Sequence, residues 1–562
     1  MSYADKPWLK SYKLGPYTLD TTLAPYPEVP IFSMLDQAAE KYPGHTAVVF
    51  QERSLNYTQL KLTVDRLASA LAELGIAHGD RVCLFLPNSI EYVLCDWAVL
   101  KCGAAVVPTS ILRSDEGLLY ELSTSGSKAI VCQEKHLERV LEARKHCNLE
   151  SIIVTADKNG EDISLPHTLP KGVYDLQKLL DRPDAPPPVV DIDTHHDLCL
   201  VAFTGGATGT PKGVMLSHYN RMCSILQGLP WMMKPMLRGF AGKASTLIAV
   251  PLFHVYGHFI EQSSVCLGMR CILLPDPRDT QAMMDAILQY RPFLIPGVPT
   301  QFMRLAEAGL TRLNVMLISG AAPLPQEVAD AIKKKTGLSV SQGYGLTETS
   351  TASHVNPSAF SKFTGFIPKE KFGIGVPVPD TECKLVDIET GQEVPEGEPG
   401  EIVIRGPQIM VGYWPEAGSG LTSDGWLHTG DIGVMDSDGY FQVVDRIKDM
   451  VNVSGMKVYT TSVDEVLFKH PGVLMAAAFG VPDPDMPGSE RVMAVIRLKD
   501  ASAQQVTVEE IRDFCRVHLP PYAIPKIIEF RDDLPLTVTE KVFKKALRDE
   551  AIAKMKTREI ES

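Results

Sequence analysis

Between Phe203 and His218 the sequence FTGGATGTPKGVMLSH gathers four glycines, three threonines and a single lysine. Glycines at this density argue against a regular helix or strand, and they let backbone N–H groups turn toward an anion. Thr204, Thr208 and Thr210 add hydroxyl donors and Lys212 adds a positive charge, so the run has the chemistry of a phosphate cradle. It is not the common phosphate loop, whose spacing G-x-x-x-x-G-K-[ST] is absent: Pro211 precedes Lys212 and Gly213 follows it. A solvated Gly/Thr turn would use the same residues, so the choice rests on what surrounds them.

The run follows LCLVAF (198–203), which reads as a buried strand. Its glycines therefore sit at the carboxyl end of a strand, where α/β sheets hold their ligands. Upstream, 57–75 places Leu60, Val64, Leu67, Leu71 and Leu74 on one helical face and ends at Gly75, a suitable C-terminal cap. RVCLFL (81–86) reads as a strand, SIEYVLCDWAVLKCG as a helix ending at Gly103, and AAVVP as another strand. KAIVC, SIIVT and STLIAV repeat the brief apolar runs of a mostly parallel sheet.

Near residue 380 the character changes. CKLVD, GEIVIRG and GYFQVVD, bounded by Gly, Pro and Asp, predict short antiparallel strands and a small barrel. Beyond DRIKD (445–449), helix-like VDEVLFKH and VEEIRDFCRVHL alternate with strand-like RVMAVIRL, enough for an α+β domain of about 110 residues.

At 562 residues the chain is too long for one compact core. A net charge of −13 argues against nucleic-acid binding, which needs clustered Lys and Arg, and means that a bound nucleotide requires local positive charge. No apolar run approaches the roughly 20 residues of a spanning helix, and the N-terminus lacks a signal-peptide core; a cytoplasmic protein is expected, with peripheral membrane contact allowed. The 11 cysteines form no C-x-x-C pair or zinc spacing, so free thiols are expected; Cys95 and Cys102 read as small buried hydrophobes.

FTGGATGTPKG resembles the phosphate loop of the AMP-forming acyl-CoA synthetases, the adenylate-forming enzymes. The resemblance continues through PLFHVYG (251–257), SGAAPL (319–324), QGYGLTET (342–349), GEIVIRGPQIMVGYW (400–414), DGWLHTGD (424–431), DRIKDMVNVSGMKVY (445–459) and LPLTVTEKVFKKALR (534–548), in family order over nearly the whole chain. It implies an α/β fold: a large N-terminal body (1–445) of two α/β subdomains plus a distorted β-barrel, a hinge (446–449), and a small mobile C-terminal α+β domain (450–562). It also implies a two-step reaction, in which a carboxylate attacks the α-phosphate of ATP and the thiol of coenzyme A then displaces AMP. Cations and oriented donors should dominate the first step, where an anion approaches a polyanion.

Carried over residue by residue, the resemblance assigns Thr204, Gly205, Gly206, Thr208, Gly209 and Lys212 to the ATP phosphates. Gly320, Ala321, Ala322, Tyr344 and Gly345 line the adenine site. Thr347 donates to the α-phosphate and Glu348 holds Mg²⁺, a hard cation suited to carboxylate and phosphate oxygens. Asp431 accepts the ribose hydroxyls and Arg446 reaches the same sugar or its phosphate; either would otherwise be half of a surface salt bridge. His254 lines the route between acyl and nucleotide sites. Lys448 occupies the hinge, Gly455 lies where the pantetheine arm passes, and Lys541 bridges carboxylate and α-phosphate during adenylation. Lys541, Lys544 and Lys545 could instead form the wet face of a terminal helix backed by Val542, Ala546 and Leu547.

Several positions depart from the family pattern. Gly205 and Ala207 stand where hydroxyl residues are common, Glu540 where glycine precedes the lysine, and Thr460 and Ser462 where Pro and Glu are typical. Thr and Ser can themselves cap the following helix. The acyl site implied by the resemblance draws on Val255, Tyr256, Gly257, Val298, Pro299, Gly343 and Gly345, which are apolar or small and favour an apolar acid, a medium- or long-chain fatty acid. An aromatic acid, an acceptor other than coenzyme A, and a catalytically silent nucleotide-binding homologue are the alternatives. Retention of Lys212, Glu348, Asp431, Arg446 and Lys541 argues against the last, and no carrier domain is expected after Lys541.

Overall fold

The computed structural model describes residues 3–156, 168–204, 211–311, 314–366, 371–499, 506–537 and 542–561. Two largely parallel sheets form the body. The nine-stranded one runs Glu416–Ala417, Gly412–Tyr413, Lys212–Ser217, Leu198–Thr204, Ala105–Pro108, Arg81–Phe85, Ala129–Gln133, Ser151–Thr155 and Val173–Asp175. It is parallel from Leu198–Thr204 onward, and those strands are buried on both faces as continuous Val, Ile and Leu runs require. The seven-stranded sheet centres on Ser245–Ile248 between Leu294–Gly297 and Arg270–Leu273, again parallel.

The helices between strands follow their sequence signals. Tyr57–Glu73 begins with a reciprocal capping box between Asn56 and Gln59. It ends at Leu74, before Gly75 in the left-handed region at φ 90°. Ile90–Lys101 is buried along almost its whole length, which places Cys95 and Cys102 in the core at 1% exposure each. A four-stranded antiparallel sheet follows, Glu382–Val386, Gly400–Arg405, Leu427–Met435 and Phe441–Arg446 in that order.

The glycine-rich run differs from its expectation at both flanks. Phe203–Thr204 ends one strand and Lys212–Ser217 forms the next, paired antiparallel with Phe203 opposite Gly213 and Thr204 opposite Lys212. Gly213 causes no break, because its missing side chain admits the Val201 and Trp414 side chains, which an added Cβ would meet at 3.1 and 3.3 Å. Residues 205–210, with the assigned Gly205, Gly206, Thr208 and Gly209, lie outside the described residues.

From Val451 onward a separate core forms on the sheet Val473–Pro482, Glu490–Leu498 and Ile527–Phe530, flanked by helices Thr460–Lys469, Val508–His518 and Lys544–Glu561. Two expectations fail here. The helix at Thr460 is not capped by its own Thr or Ser: Tyr459 holds the cap position without a side-chain bond, and Asp445 accepts from the Thr460 N–H and hydroxyl instead. Lys544 is not on a wet face, because its ammonium pairs with Asp464 at 2.7 Å and donates to Thr460 Oγ1 at 2.9 Å. Burial pushes the Asp464 carboxyl up to about 6 despite that pairing, and holds Asp445 above its ordinary value. Lys541, with Glu540, lies outside the described residues.

Candidate active site

A cleft of about 1920 Å³ opens between the ends of both body sheets, the antiparallel sheet and the small domain. Thr204, Lys212, His254, Gly320, Ala321 and Ala322 line it, as do Tyr344, Gly345, Thr347, Glu348, Asp431, Arg446 and Lys448. Residues from strand ends more than 200 positions apart thus converge, as they do where parallel strands present their carboxyl ends. Gly455 does not join them. It turns the hairpin between Val451–Val453 and Met456–Val458 at φ 86°, its N–H on Asn452 Oδ1, and an added Cβ there would meet nothing within 4 Å.

At one end Tyr344, Asp431 and Arg446 form a cluster. Asp431 and Arg446 are opposite each other on adjacent antiparallel strands, with Arg446 Nε 3.1 Å from Asp431 Oδ1. Tyr344 donates its hydroxyl to Asp431 Oδ2 at 2.7 Å. Asp431 is 3% exposed, so the alternative of an ordinary surface pair fails. Its carboxylate raises the Arg446 guanidinium, while burial and then Asp431 push the Tyr344 phenol well up.

The glycines here admit close packing. An added Cβ at Gly320 would lie 2.8 Å from the Tyr256 ring, and one at Gly345 would lie 1.4 Å from the Thr351 carbonyl. Ala321 holds φ 61° without being glycine, a strained position of the kind concentrated at binding sites.

Glu348 and Lys212 flank Tyr413. Tyr413 donates to Glu348 Oε1 at 2.9 Å, and Lys212 Nζ stands 4.7 Å from the centre of its ring. Burial raises the Glu348 carboxyl above its ordinary value, partly offset by the Tyr413 bond. Such a carboxylate suits a hard divalent cation, which would relieve the cost of burying its charge. No group of three His, Cys, Asp or Glu among the described residues is arranged to hold a metal.

Tyr413 had no role in the sequence reading, although it lies in the quoted GEIVIRGPQIMVGYW. Its strand adds to the edge of the nine-stranded sheet, with Tyr413 opposite Val214, and only that pairing brings it beside Lys212. His354 was also missed: fully buried and 5.6 Å from the Tyr344 ring, it is pushed down to about 3 by burial and held neutral. His254 precedes the helix Val255–Cys266 and accepts from the Tyr256 N–H through Nδ1 at 3.3 Å.

Apolar side chains line the cleft as well, Met232, Tyr256, Phe259, Ile260, Leu294 and Phe360 among them. Val255, Pro299, Gly343 and Gly345 of the expected acyl site line it too, whereas Gly257 and Val298 do not. Gly257 instead packs its Cα on the Pro251 carbonyl, 2.2 Å from where a Cβ would stand.

A lysine and a buried carboxylate, a Tyr–Asp–Arg cluster and apolar side chains lining one cleft fit a nucleotide and an apolar co-substrate. The chain belongs to the AMP-binding enzyme family, which matches residues 35–414, while the AMP-binding enzyme C-terminal domain matches 462–541. It is 33% identical over 575 residues to a long-chain-fatty-acid–CoA ligase of Bacillus subtilis (strain 168), covering 97% of this chain and 98% of that protein. A feruloyl-CoA synthase of Amycolatopsis sp is 33% identical over 527 residues, covering 91% and 96%. Among solved structures, ATP-bound MatB from Rhodopseudomonas palustris superposes with a TM-score of 0.81 at 25% identity, covering 93% and 99%. The chain is an ATP-dependent, AMP-forming acid–CoA ligase, with ATP and coenzyme A as co-substrates.

Proposed function

We propose that this enzyme activates an apolar carboxylic acid, a medium- or long-chain fatty acid, to its acyl-adenylate and then to the acyl-CoA thioester. The observation that carries the substrate class is the set of apolar side chains, among them Met232, Phe259, Ile260 and Phe360, that line the same cleft as Thr347 and Glu348. An alkyl chain buried against these side chains removes apolar surface from water and asks for no charged partner along its length. The long-chain ligase of Bacillus subtilis supports the aliphatic assignment.

In this reading Lys212, Thr204 and the glycine hairpin bind the β- and γ-phosphates, and Thr347 donates to the α-phosphate. Asp431 and Arg446 hold the ribose, with Tyr344 fixed against Asp431 so that its ring faces the adenine. Glu348 would hold Mg²⁺, whose chemistry at that point is to neutralise phosphate charge. His254 borders the acyl carboxylate. Lys541 supplies the cation that joins carboxylate to α-phosphate, and rotation of residues 450–562 about Lys448 exchanges Lys541 for the Gly455 hairpin before thioester formation. The body is residues 1–445 and the hinge 446–449. The enzyme works in the cytoplasm. No helix among the described residues is long and apolar enough to cross a membrane, so contact with lipid-borne acids is peripheral.

The test is ATP–pyrophosphate exchange across acetate, octanoate, dodecanoate, palmitate, benzoate and ferulate, followed by thioester detection with coenzyme A. Exchange strongest with dodecanoate or palmitate, and thioester product from the same acids, is expected. Exchange confined to benzoate or ferulate would refute the aliphatic reading.

A further inference from the structure

We infer that Arg221 is a positioning residue for adenylation, holding in place a strained turn that aims Thr347 and Glu348 into the cleft. The inference rests on the reading that these two residues serve the phosphate end.

The strain lies just past Glu348. Ser350 has φ 52° and Thr351 φ 105°, two successive non-glycine residues in the left-handed half of backbone space. A β-branched residue at φ 105° persists only where its surroundings over-determine it. They do so here. Arg221 donates to the Ser350 carbonyl at 2.9 Å, and Ser224 Oγ donates to the same oxygen at 2.8 Å. The Ser350 hydroxyl donates to the Gln408 carbonyl at 2.7 Å, and the Thr351 hydroxyl to the carbonyl of Val255, next to His254, at 3.0 Å. The Thr351 carbonyl is pressed against the Gly345 Cα, so the strained pair touches the adenine side as well.

Arg221 is wholly buried, and its charge has an unusual support. Its Nε donates to Gln262 Oε1 at 2.8 Å; Gln262 Nε2 lies 2.9 Å from His258 Nε2, which lies 2.9 Å from Asp96 Oδ2. Asp96 is 1% and Glu261 2% exposed beside them. A core of this kind costs more than an apolar one of the same volume, so what it supplies is direction: a rigid donor fixed on one carbonyl. Arg221 also sits on the helix His218–Gln227, which continues directly from the strand Lys212–Ser217. It therefore ties the phosphate hairpin on one side to the Glu348 turn on the other.

The test compares wild type, Arg221→Lys, Arg221→Lys with Ser350→Gly, Ser224→Ala and Glu348→Gln in ATP–pyrophosphate exchange with dodecanoate, with thermal unfolding in parallel. Lysine keeps the buried charge but loses the planar fork. Arg221→Lys is expected to lower kcat for exchange by about tenfold while the KM for ATP moves less than about threefold, because the Asp431–Arg446 pair assigned to the ribose keeps its own contacts. Ser350→Gly relieves only the φ 52° position and gives up the hydroxyl bond to Gln408, so with Thr351 still at φ 105° the double variant should be no more active than Arg221→Lys. A kcat that Ser350→Gly restores to the wild-type level, or a kcat loss that merely follows the melting temperature, would overturn the inference. Should Arg221→Lys fail to fold, Ser224→Ala removes the other donor on the same carbonyl and must lower kcat; unchanged kcat there overturns it equally. Glu348→Gln separates the two claims: full activity in that variant refutes the assignment of Glu348, whatever Arg221 does.

Discussion

Removal of one oxygen, in Tyr413→Phe, tests how the Glu348 end of the cleft is tuned. The Tyr413 hydroxyl donates to Glu348 Oε1 at 2.9 Å in a half-buried setting, and burial raises the Glu348 carboxyl. A hydrogen bond to a charged acceptor contributes roughly 1.5–3 kcal/mol and one to a neutral acceptor about half that, so the hydroxyl favours the ionised form by about 1 kcal/mol. Its loss should therefore raise the Glu348 carboxyl further above its ordinary value. If Glu348 holds Mg²⁺ as proposed, the ionised carboxylate is the working form, so the acid limb of the rate profile moves to higher pH, with the loss largest below the limb and small above it. Phenylalanine keeps the ring under Lys212 Nζ, so the cation's contact survives. The assay is kcat/KM for ATP in pyrophosphate exchange from pH 5 to 8, which reports groups of the free enzyme. A limb that stays in place, or a loss equal at every pH, would refute this account of Tyr413.

Four further outcomes are expected. Gly345→Ala brings a Cβ within 1.4 Å of the Thr351 carbonyl, so the backbone must move; calorimetry should show a destabilisation of at least about 2 kcal/mol, and an unchanged melting temperature would contradict the packing. His354, pushed by burial from 6.5 to about 3, stays neutral in the fold while the unfolded chain takes up a proton below pH 6.5. Wild type should therefore lose about 2 kcal/mol more than His354→Gln between pH 7 and 5, measured by denaturant titration, and parallel losses would exclude it. Ala207→Thr restores a hydroxyl common in the family and should lower the KM for ATP up to roughly tenfold if backbone donors had not already compensated. Lys541→Ala should remove most adenylate formation yet spare thioester formation from supplied acyl-adenylate; equal loss in both half-reactions would reject its bridging role.

The alternating strands and helices of the body were readable because burial on both faces of a parallel sheet demands unbroken apolar runs, as at RVCLF and AIVCQ. The cap at Gly75 was readable because its group is local. Where the partner was remote, local reasoning failed. Thr460 looked able to cap itself, but Asp445, 15 residues earlier, supplies the acceptor. Lys544 looked solvated until the fold set Asp464 against it. Within the cleft, Asp431 and Arg446 belonged to quoted motifs, yet their direct pairing depends on a strand register that no motif states. Tyr413 and Arg221 were silent for the same reason: each acts through a contact from a distant part of the chain, Tyr413 on Glu348 across 65 positions and Arg221 on Ser350 across 129.

The boundary between body and small domain shows how closely these ties bear on the chemistry. Asp445 is buried near the end of the strand Phe441–Arg446, and its carboxylate accepts from Thr460 at the start of the helix Thr460–Lys469. Lys544, three positions past Lys541, reaches the same place by donating to Thr460 and pairing with Asp464. A rotation about Lys448 would leave Asp445 with the body and carry Thr460, Asp464 and Lys544 away together. The Asp445–Thr460 contact therefore belongs to one arrangement only, and its loss would expose a carboxylate that burial has already made costly to ionise. Solvation of that carboxylate would offset part of the cost of breaking the contact. A hinge between two half-reactions needs arrangements close in free energy, and a buried acidic group that gains solvent on opening brings them closer.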